Sequence, residues 1–496
     1  MRVCILDCYT DEASGLGVMP YLGTYPRYCW SRLRQLHPDA QLRYLTIDDL
    51  RLHAKHDGKI PERAKERKTD ITIYNLTKNA PDAMRILHDA ELVVVVLGVH
   101  VPGKYLSAVP GVLTEVLPLV RALPGRKVLI GPAVFGSQLF GGRRSETADL
   151  SCFSEVDWDY LDINEYAQVG SAAVGADLVS QLGFEVIAEL ETGKGCDVGK
   201  CSFCLEPLKN KVSFRTVDDV LAEAKALYAQ GVRHFRLGKQ TCFYSYQGGD
   251  VNAIVSLLRG MREACPQLKT LHIDNVNPNR VVADRGAVVT KAIVQYCTPG
   301  NVAAFGVESF DLAVVKENRL NTVPAIAYKA TKILNEHGAA KGVNGMPHFL
   351  PGINIIYGLK AESKETHAQN MLWLKRFLDE GLLLRRINIR QVAVFPGTGM
   401  AEVGTRFIRK NKAKYWSWRN QIRQEIDLPL LQRMLPVGHV MKDVRLEIYD
   451  GNTTFGRQWG TYPLVIGIKG RHELGRVVNV RVTKHMLRSI TGEIIA

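Results

Sequence analysis

Continuous apolar runs alternate with amphipathic stretches along the first 400 residues of the chain. Near the N-terminus, such runs are found at Val3–Asp7, Leu92–Val99 and Lys127–Gly131. They predict strands of a parallel sheet, because strands covered on both faces lack polar alternation. Helical spacing is found between them, near Tyr28–Leu36 and Gly111–Leu123. We therefore expect an open α/β domain over residues 1–170.

A regular series of strands and helices follows over residues 180–400. The predicted strands are Glu185–Leu190, His234–Leu237, Thr270–Asp274, Val302–Val307, Ile353–Tyr357 and Ile387–Val394. The predicted amphipathic helices between them are Val217–Gln230, Val251–Ala264, Pro324–His337 and Lys364–Glu380. Six β/α units in succession predict a six-unit (β/α) partial barrel, with its reactive face at the C-terminal ends of the strands.

The pattern changes again after residue 400. Residues 401–435 are basic and aromatic, with helical spacing, and predict a helical connector. Short alternating strands with Gly turns follow over 436–496, at Val444–Tyr449, Tyr462–Ile468 and Val477–Val482. They predict a small β-barrel. The expected fold class is α/β: an N-terminal open Rossmann-like domain, a central partial barrel and a small C-terminal β-barrel.

Length and composition narrow the classes of protein. A chain of 496 residues exceeds one ordinary core, so two or three domains are expected. No run approaches the roughly 18 apolar residues that span a bilayer. The N-terminus becomes acidic too soon for a secretory signal, so we expect a cytoplasmic protein with no membrane partner. The formal charge of +14 favours a polyanionic partner.

The densest chemical signal is Gly195-Cys-Asp-Val-Gly-Lys-Cys-Ser-Phe-Cys204, directly after the first predicted barrel strand. Three thiolates this close can bind an iron–sulfur cluster or zinc. A structural zinc site usually needs a fourth Cys or His, and the nearest, Cys242 and His234, are a strand away. Three ligands would leave one iron of a four-iron cluster open. A loop zinc completed by a distant ligand is the alternative.

This loop resembles the signature of the radical S-adenosylmethionine (SAM) superfamily. The resemblance implies that Cys196, Cys201 and Cys204 hold a 4Fe-4S cluster whose fourth iron binds SAM. Reduction by an external electron donor then cleaves SAM to a 5′-deoxyadenosyl radical, which removes a hydrogen atom from the substrate. The aromatic Phe203 before the last cysteine fits the pattern. One departure is the spacing, with four residues between the first two cysteines where the superfamily has three.

Later strand ends carry further parts of the resemblance. Arg236-Leu-Gly-Lys-Gln240 is similar to the turn that binds the methionine moiety, which implies roles for Gly238 and Gln240, although the family's acid is missing. Gly306-Val-Glu-Ser309 resembles the element near the ribose and implies Glu308 and Ser309. Pro351-Gly-Ile-Asn354 resembles a later cofactor-facing strand and implies Asn354. Phe395-Pro-Gly-Thr-Gly399 is similar to a turn that closes the barrel. Taken singly, such Gly and Pro residues at strand ends only make turns.

The N-terminal domain resembles the cobalamin-binding domain of some radical SAM enzymes. The similar parts are Gly15-Leu-Gly-Val-Met-Pro-Tyr-Leu-Gly-Thr-Tyr25 and Val128-Leu-Ile-Gly-Pro132. The resemblance adds cobalamin as an optional cofactor. There is no Asp-x-His-x-x-Gly element, so a histidine ligand to cobalt is not supported, and we interpret His100 as a polar cap.

The order of domains is also that of methylthiotransferases, whose N-terminal domain holds a second cluster. This chain offers Cys4, Cys8, Cys29 and Cys152 there, but the wider pattern of that domain is absent. Cys4 and Cys8 lie in or beside a predicted strand. We therefore expect them to be core thiols.

The C-terminal stretch from Ile448 to Ala496 resembles the small RNA-binding barrel of those methylthiotransferases. Residues 451–496 contain seven Lys or Arg against Glu473 and Glu493. The connector adds Arg406-Phe-Ile-Arg-Lys-Asn-Lys-Ala-Lys-Tyr-Trp-Ser-Trp-Arg419, which offers phosphate contacts and stacking faces. A solvated basic surface on a structural barrel is the alternative.

The leading hypothesis is a radical SAM enzyme that modifies a macromolecule, RNA and in particular tRNA, by methyl or methylthio transfer. A radical SAM enzyme acting on a protein side chain or a small metabolite is an alternative, with the basic tail incidental. A non-catalytic, metal-containing RNA-binding protein is an alternative of another class. These hypotheses differ in whether the chain cleaves SAM and whether it binds RNA.

Overall fold

In the computed structural model of the chain, the described residues are 1–9, 20–59, 75–98, 110–135, 137–138, 145–146, 148–167 and 172–495. The strands of the N-terminal part are β1 (Arg2–Asp7), β2 (Tyr21–Leu22), β3 (Gln41–Thr46), β4 (Leu92–Val96), β5 (Arg126–Ile130), β6 (Ser137–Gln138), β7 (Ser145–Glu146) and β8 (Glu155–Val156). Its helices are α1 (Thr24–Leu36), α2 (Ile47–His56), α3 (Ala83–Asp89) and α4 (Leu113–Arg121).

Five of these strands form one parallel sheet in the order β3-β1-β4-β5-β8. The predicted strands β1, β4 and β5 are confirmed, and every residue of β4 is buried, as its unbroken apolar run predicts. Ligands of such doubly wound sheets bind beyond the C-terminal strand ends, where the strand order reverses. Here that point lies between β1 and β4.

The central part has nine strands and eight helices. The strands are β9 (Ile187–Glu191), β10 (Gly193–Lys194), β11 (Ser213–Phe214), β12 (His234–Gly238), β13 (Thr270–Ile273), β14 (Asn275–Val276), β15 (Asn301–Glu308), β16 (Phe349–Tyr357) and β17 (Arg386–Gln391). The helices are α5 (Glu206–Lys209), α6 (Val217–Ala229), α7 (Val251–Ala264), α8 (Pro278–Ala283), α9 (Val288–Tyr296), α10 (Leu312–Glu317), α11 (Pro324–Gly338) and α12 (Lys364–Asp379).

All six predicted barrel strands are present, in two four-stranded parallel sheets of order β13-β12-β9-β2 and β14-β15-β16-β17, which follow one another at Asp274. The third predicted strand, Thr270–Asp274, is present as β13 and ends at Ile273, whereas β14 follows it and was not predicted. An unpredicted strand extends the sheet, because Tyr21 of β2 pairs in parallel with Ile187 of β9. Within the described residues, β2 and β17 are edge strands of the two sheets and do not pair, so the barrel is partial.

A buried ion cluster joins the N-terminal part to the barrel. Glu223 of α6 accepts hydrogen bonds from Arg27 Nη2 of α1 at 3.0 Å and from Arg215 Nη1 at 2.5 Å. The side chains of Arg27 and Glu223 are fully buried. Because a buried charge without its partner is costly, this cluster specifies how α1 and α6 pack.

The last part of the chain is helical and then all-β. Its helices are α13 (Gly399–Val403), α14 (Arg406–Lys410), α15 (Lys412–Ile422) and α16 (Leu428–Met434). Its strands are β18 (Val440–Asp450), β19 (Thr453–Arg457), β20 (Ile466–Lys469), β21 (Val477–His485) and β22 (Ile490–Ile495). The five strands close into a barrel in the order β18-β19-β20-β22-β21, which confirms the predicted β-barrel. Within the described ranges, no helix combines the length and the apolar character that crossing a membrane requires.

The segment before β20 attaches this β-barrel to the larger barrel. Trp459 stacks on His234, the first residue of β12, with ring centroids 4.1 Å apart. The backbone N–H of Thr461 donates to Nδ1 of His272 in β13 at 3.1 Å. The predicted strand Tyr462–Ile468 therefore begins only at Ile466, because its first residues pack on the partial barrel. These contacts attach the β-barrel at the N-terminal end of β12 and along β13.

Candidate active site

A cavity of about 260 Å³ lies at the C-terminal ends of the barrel strands. Its described lining includes Cys196, Cys201, Cys204, Phe203, Glu308 and Asn354 from the sequence prediction. Arg390 of β17 also lines it, together with Thr241, Cys242, Asn275, Asn277 and Asn321. The residues come from the loop after β9 and from the ends of β12, β14, β15, β16 and β17. This is the end of a parallel β/α barrel at which catalytic groups are found.

The cysteine loop is folded by local hydrogen bonds to sulfur and to a carboxylate. Gly199, whose φ of +56° lies in the left-handed region, directs its N–H to Cys196 Sγ at 3.3 Å. The N–H of Glu206 is 3.4 Å from Cys204 Sγ. Glu206 Oε1 accepts from the N–H of Gly195 at 2.9 Å. Hydrogen bonds to sulfur stabilise the thiolate form that binds metals.

Other elements hold the same loop from outside. Ser202 donates its N–H and its hydroxyl to Asn318, at 3.0 and 2.8 Å, and its carbonyl accepts from the N–H of Met400 at 2.7 Å. Asp197, the first of the four residues between Cys196 and Cys201, accepts from Ser245 Oγ at 3.1 Å and pairs with Arg280. The longer cysteine spacing is therefore anchored to neighbouring barrel loops.

The three thiols share one electrostatic environment. Burial, together with smaller contributions from negative charge on Cys204, Glu308 and Cys196, raises the pKa of Cys201 to about 12. Burial raises the pKa of Cys204 to about 11, with a smaller contribution from Cys196. Thiolates brought together in this way need a cation, and a coordinated metal deprotonates them outright. The donor set therefore fits an iron–sulfur cluster.

Cys242 lies closer than its place in the sequence suggests. It lines the same cavity, buried, and the N–H of Asn277 is 3.2 Å from its Sγ. Burial is the main cause that raises the pKa of Cys242. The nearby charge that also raises it is the carboxylate of Asp197, and not the cysteine trio. Within the described part of the chain, no three His, Cys, Asp or Glu groups are arranged to hold a metal ion. A four-iron cluster bonds each cysteine to a different iron, so its ligands do not share one ion.

Glu308 is the carboxylate that faces the cysteines in this cavity. It ends β15 with φ +64°, a strained conformation for a residue with a side chain. Its Oε2 is buried and has no hydrogen-bond partner among the described residues, and the same holds for Oδ1 of Asn321. Burial raises the pKa of Glu308 to about 7, against the opposite effect of Arg390. Buried acceptors without partners fit a ligand that donates hydrogen bonds, such as ribose hydroxyls.

The remaining predicted residues are placed differently. Asn354 lies 3.1 Å from the side-chain amide of Asn388 on β17. Ser309 accepts from the N–H of Asp311 at 3.1 Å, just before α10. Gly238 and Gln240 are not among the described residues that line the cavity. A Cβ at Gly238 would lie 2.5 Å from Glu189 Oε1, so this glycine allows close packing of β12 on β9. Both side-chain polar atoms of buried Gln240 lack partners among the described residues.

The flanking predictions have three outcomes. Gly15 to Met19 and His100, on which part of the cobalamin resemblance depends, lie outside the described residues. Cys4 and Cys8 are fully buried in an apolar core, which confirms them as core thiols, and Cys29 is fully buried as well. Of the seven C-terminal basic residues, Arg457 is buried and pairs with Glu447 at 2.8 Å, so it is unsuited to an RNA contact. The other six are exposed: Lys469, Arg471, Arg476, Arg481, Lys484 and Arg488.

Residues that sequence reasoning missed include Arg390, Asn321 and Asp197. They come from segments far apart in the chain, and singly each is an ordinary polar residue. Only the arrangement of strand ends could have pointed to Arg390, since it lies near the end of the last predicted barrel strand.

Two archaeal proteins of uncharacterised function match nearly the whole chain. The protein from Archaeoglobus fulgidus is 38% identical over 99% of this chain and 90% of its own length. Protein MJ0274 from Methanocaldococcus jannaschii is 37% identical over 100% of this chain and 93% of its own length. The ribosomal protein uS12 methylthiotransferase RimO from Carboxydothermus hydrogenoformans is 23% identical over 63% of this chain and 68% of its length. No family model matches the chain.

Solved structures of similar shape include the radical SAM methyltransferase TsrM from Kitasatospora setae. It covers 80% of this chain and 75% of its own, with a TM-score of 0.49 and 11% identity. The cobalamin-dependent radical SAM enzyme OxsB covers 85% of this chain and 56% of its own, with a TM-score of 0.46 and 10% identity.

Proposed function

The chain belongs to one family with the two archaeal proteins, and we propose that it is a radical SAM iron–sulfur enzyme. The observation that carries this proposal is the shared cavity of Cys196, Cys201, Cys204 and Glu308 at the C-terminal ends of the barrel strands. Three thiols with a common electrostatic environment stand beside a buried carboxylate oxygen that has no described partner. The arrangement provides cluster ligands and cofactor contacts in one place.

In this proposal, Cys196, Cys201 and Cys204 hold the 4Fe-4S cluster. The bound cluster would supply an open iron for SAM and, on reduction by an external donor, the electron that cleaves SAM to a 5′-deoxyadenosyl radical. Glu308 accepts hydrogen bonds from the ribose, while Asn354 and Phe203 line the cavity beside the cofactor. Gly238, Gln240 and Ser309 are supporting positions, since they lie at strand ends near the cavity but outside its described lining.

Replacing Glu308 by Gln is expected to weaken SAM binding by about tenfold, which corresponds to about 1.4 kcal/mol. The amide keeps the shape of the side chain but loses a charged acceptor, and hydrogen bonds to charged groups are the strong ones. Anaerobic equilibrium binding of SAM to the reconstituted protein measures the effect. The matched control is Glu317→Gln, which alters an exposed carboxylate on α10 paired with Lys360. An unchanged dissociation constant in Glu308→Gln would remove Glu308 from the cofactor site.

We further propose that the substrate is RNA, in particular tRNA, modified by methyl or methylthio transfer. The support is the charge of +14, the exposed basic side chains of the β-barrel and connector, and Trp416, which is 59% exposed on α15. Arg419 lies over the Trp416 ring at 5.3 Å, an arrangement suited to stacking on bases. The similarity of the chain to a methylthiotransferase supports methylthio as the transferred group.

Modified nucleosides from cells with and without the gene test this substrate assignment. The proposal predicts that one methylated or methylthiolated nucleoside disappears from tRNA on deletion and returns with the wild-type gene. An unchanged set of nucleosides, together with SAM cleavage by the purified protein, would favour a protein or small-molecule substrate. Zinc in place of iron would favour the non-catalytic RNA-binding alternative.

A cobalamin cofactor fits the strand order of the N-terminal sheet but is not required by it. The loops after β1 and β4, where such a ligand would lie, include residues outside the described part. Absorbance titration of the protein with hydroxocobalamin tests the assignment. Binding with a shifted corrinoid spectrum would support methyl transfer through cobalamin, and no binding would exclude it.

A further inference from the structure

The outer edge of β17 carries an unusual concentration of arginine. Arg385 and Arg386 line a second, smaller cavity together with Arg488 of the β-barrel. Helices of the connector cover this edge of β17. Arg423 Nη1 donates to the carbonyl of Ile387 at 2.6 Å. The hydroxyl of Tyr415 donates to the carbonyl of Ile389 at 3.5 Å. Side chains of the connector, and not a further strand, therefore satisfy these β17 carbonyls.

We define the arginine edge as Arg385, Arg386, Arg390, Arg419, Arg423 and Arg488. Arg423 forms an ion pair with Asp427. Among the described residues, the other five have no carboxylate within ion-pair distance. Their closest described partners are polar or aromatic: Arg385 donates to the carbonyl of Tyr462 at 2.5 Å, and Arg386 lies 4.1 Å from the Tyr462 ring centroid. The six positively charged side chains of the arginine edge therefore include one that is ion-paired, Arg423 with Asp427.

Several of these guanidinium groups are also withdrawn from water. The side chain of Arg423 is 4% exposed, yet its Nε and Nη2 have no acceptor among the described residues, and neither has Nε of Arg385. Burial, with repulsion from Arg386, lowers the pKa of Arg385 to about 10. Burial and the charge of Arg423 lower the pKa of Arg419. Buried donors without acceptors and uncompensated charge are what an anion would relieve.

The arginine edge reaches both cavities. Arg386 and Arg390 are four residues apart on one strand, so their side chains leave the same face about 13 Å apart. Arg386 lines the smaller cavity beside the β-barrel, whereas Arg390 lines the cavity of the cysteines. Members of the arginine edge therefore lie both beside the β-barrel and at the candidate active site.

We propose that Arg386, Arg419 and Arg488 of the arginine edge bind phosphate groups of the RNA substrate. This inference rests on the proposed function and assigns the surface that its substrate contacts. Phosphate fits because guanidinium groups bind phosphate oxygens in pairs. RNA fits better than an acidic peptide because the exposed ring of Trp416 lies beside Arg419 and offers a stacking face for a base.

The test compares two triple variants that each remove three positive charges. Arg386, Arg419 and Arg488 are replaced by Gln in the first variant, which keeps Arg423 and its contact with β17. The matched control replaces three arginines that are each exposed and paired with a carboxylate: Arg85, Arg259 and Arg376. Fluorescence anisotropy measures binding of a labelled oligouridylate of about 20 nucleotides at several salt concentrations. Iron content and circular dichroism check that both variants fold.

The first variant is expected to bind RNA about 10- to 100-fold more weakly, with a salt slope smaller by about 2, because each phosphate contact on a single strand contributes about 0.7. The control is expected to change less than about threefold, since its arginines are neutralised by neighbours. Equal losses in both variants would show that only net charge matters and would overturn the proposal. Oligoglutamate binding that depends on the same arginines, without RNA binding, would overturn it in favour of an acidic peptide. A wild-type protein that takes up no iron would instead contradict the proposed function. Anisotropy measures RNA binding and not iron content, so the two failures are distinguishable.

Discussion

Replacing Cys196, Cys201 or Cys204 by Ala is expected to reduce iron from about four atoms per chain to nearly none and to abolish SAM cleavage. Each thiolate bonds a different iron, and two remaining ligands do not retain the cluster against the solvent. The loop itself should stay folded, because Ser202 and Asp197 anchor it through Asn318, Ser245 and Arg280. Iron analysis after anaerobic reconstitution and chromatography of 5′-deoxyadenosine measure the two losses.

Cys242 provides the matched control, since it lines the same cavity and is not assigned as a ligand. The conservative variant Cys242→Ser is expected to keep about four iron atoms per chain. If it loses iron as the trio variants do, four cysteines hold the metal and no iron is open to SAM. If the trio variants keep their iron, the cluster assignment itself is wrong.

Replacing Glu223 by Gln is expected to lower the free energy of unfolding by about 3–5 kcal/mol, the largest stability effect that the structure predicts. The amide leaves Arg27 and Arg215 buried with no carboxylate between them. Because Arg27 belongs to α1 and Glu223 to α6, the change also loosens the N-terminal part from the barrel. Urea denaturation followed by circular dichroism gives the change in midpoint.

Glu263→Gln serves as the control for that substitution. Glu263 is 70% exposed and pairs with Arg259 at 3.7 Å, so its replacement should alter stability by less than about 0.5 kcal/mol. A Glu223→Gln protein as stable as this control would mean that the buried cluster does not hold the two parts together. An unchanged urea midpoint with a weaker dependence of the unfolding free energy on urea would indicate that the N-terminal part and the barrel unfold separately.

The strands and helices with strong periodic signals could be predicted from the sequence. The apolar runs of β4, β9 and β15 predicted buried parallel strands, and the helical spacing of α6 and α7 gave their bounds within a residue. The two-residue strand β2 could not be predicted, because it has no periodicity and is ordered only by pairing with β9. In the C-terminal barrel, β19 and β22 were missed because a glycine, Gly456 or Gly492, interrupts the strand pattern in each.

The residues of the candidate site also divide into those that the sequence could predict and those that it could not. The cysteine loop is one continuous motif, so spacing and residue type were enough to identify it. Gly238 and Gln240 were assigned from an imperfect motif, and neither lines the described cavity. The arginine edge was invisible in the sequence because its members come from β17, α15 and the β-barrel, which only tertiary packing brings together.

Cleavage of SAM by the reduced protein is the decisive test that this chain is a radical SAM enzyme. The purified, anaerobically reconstituted chain is mixed with SAM and dithionite, and 5′-deoxyadenosine is quantified. We expect 5′-deoxyadenosine to form only when both the iron and the reductant are present. A fully iron-loaded protein that binds SAM but releases no 5′-deoxyadenosine, or a protein that takes up zinc and no iron, would contradict it.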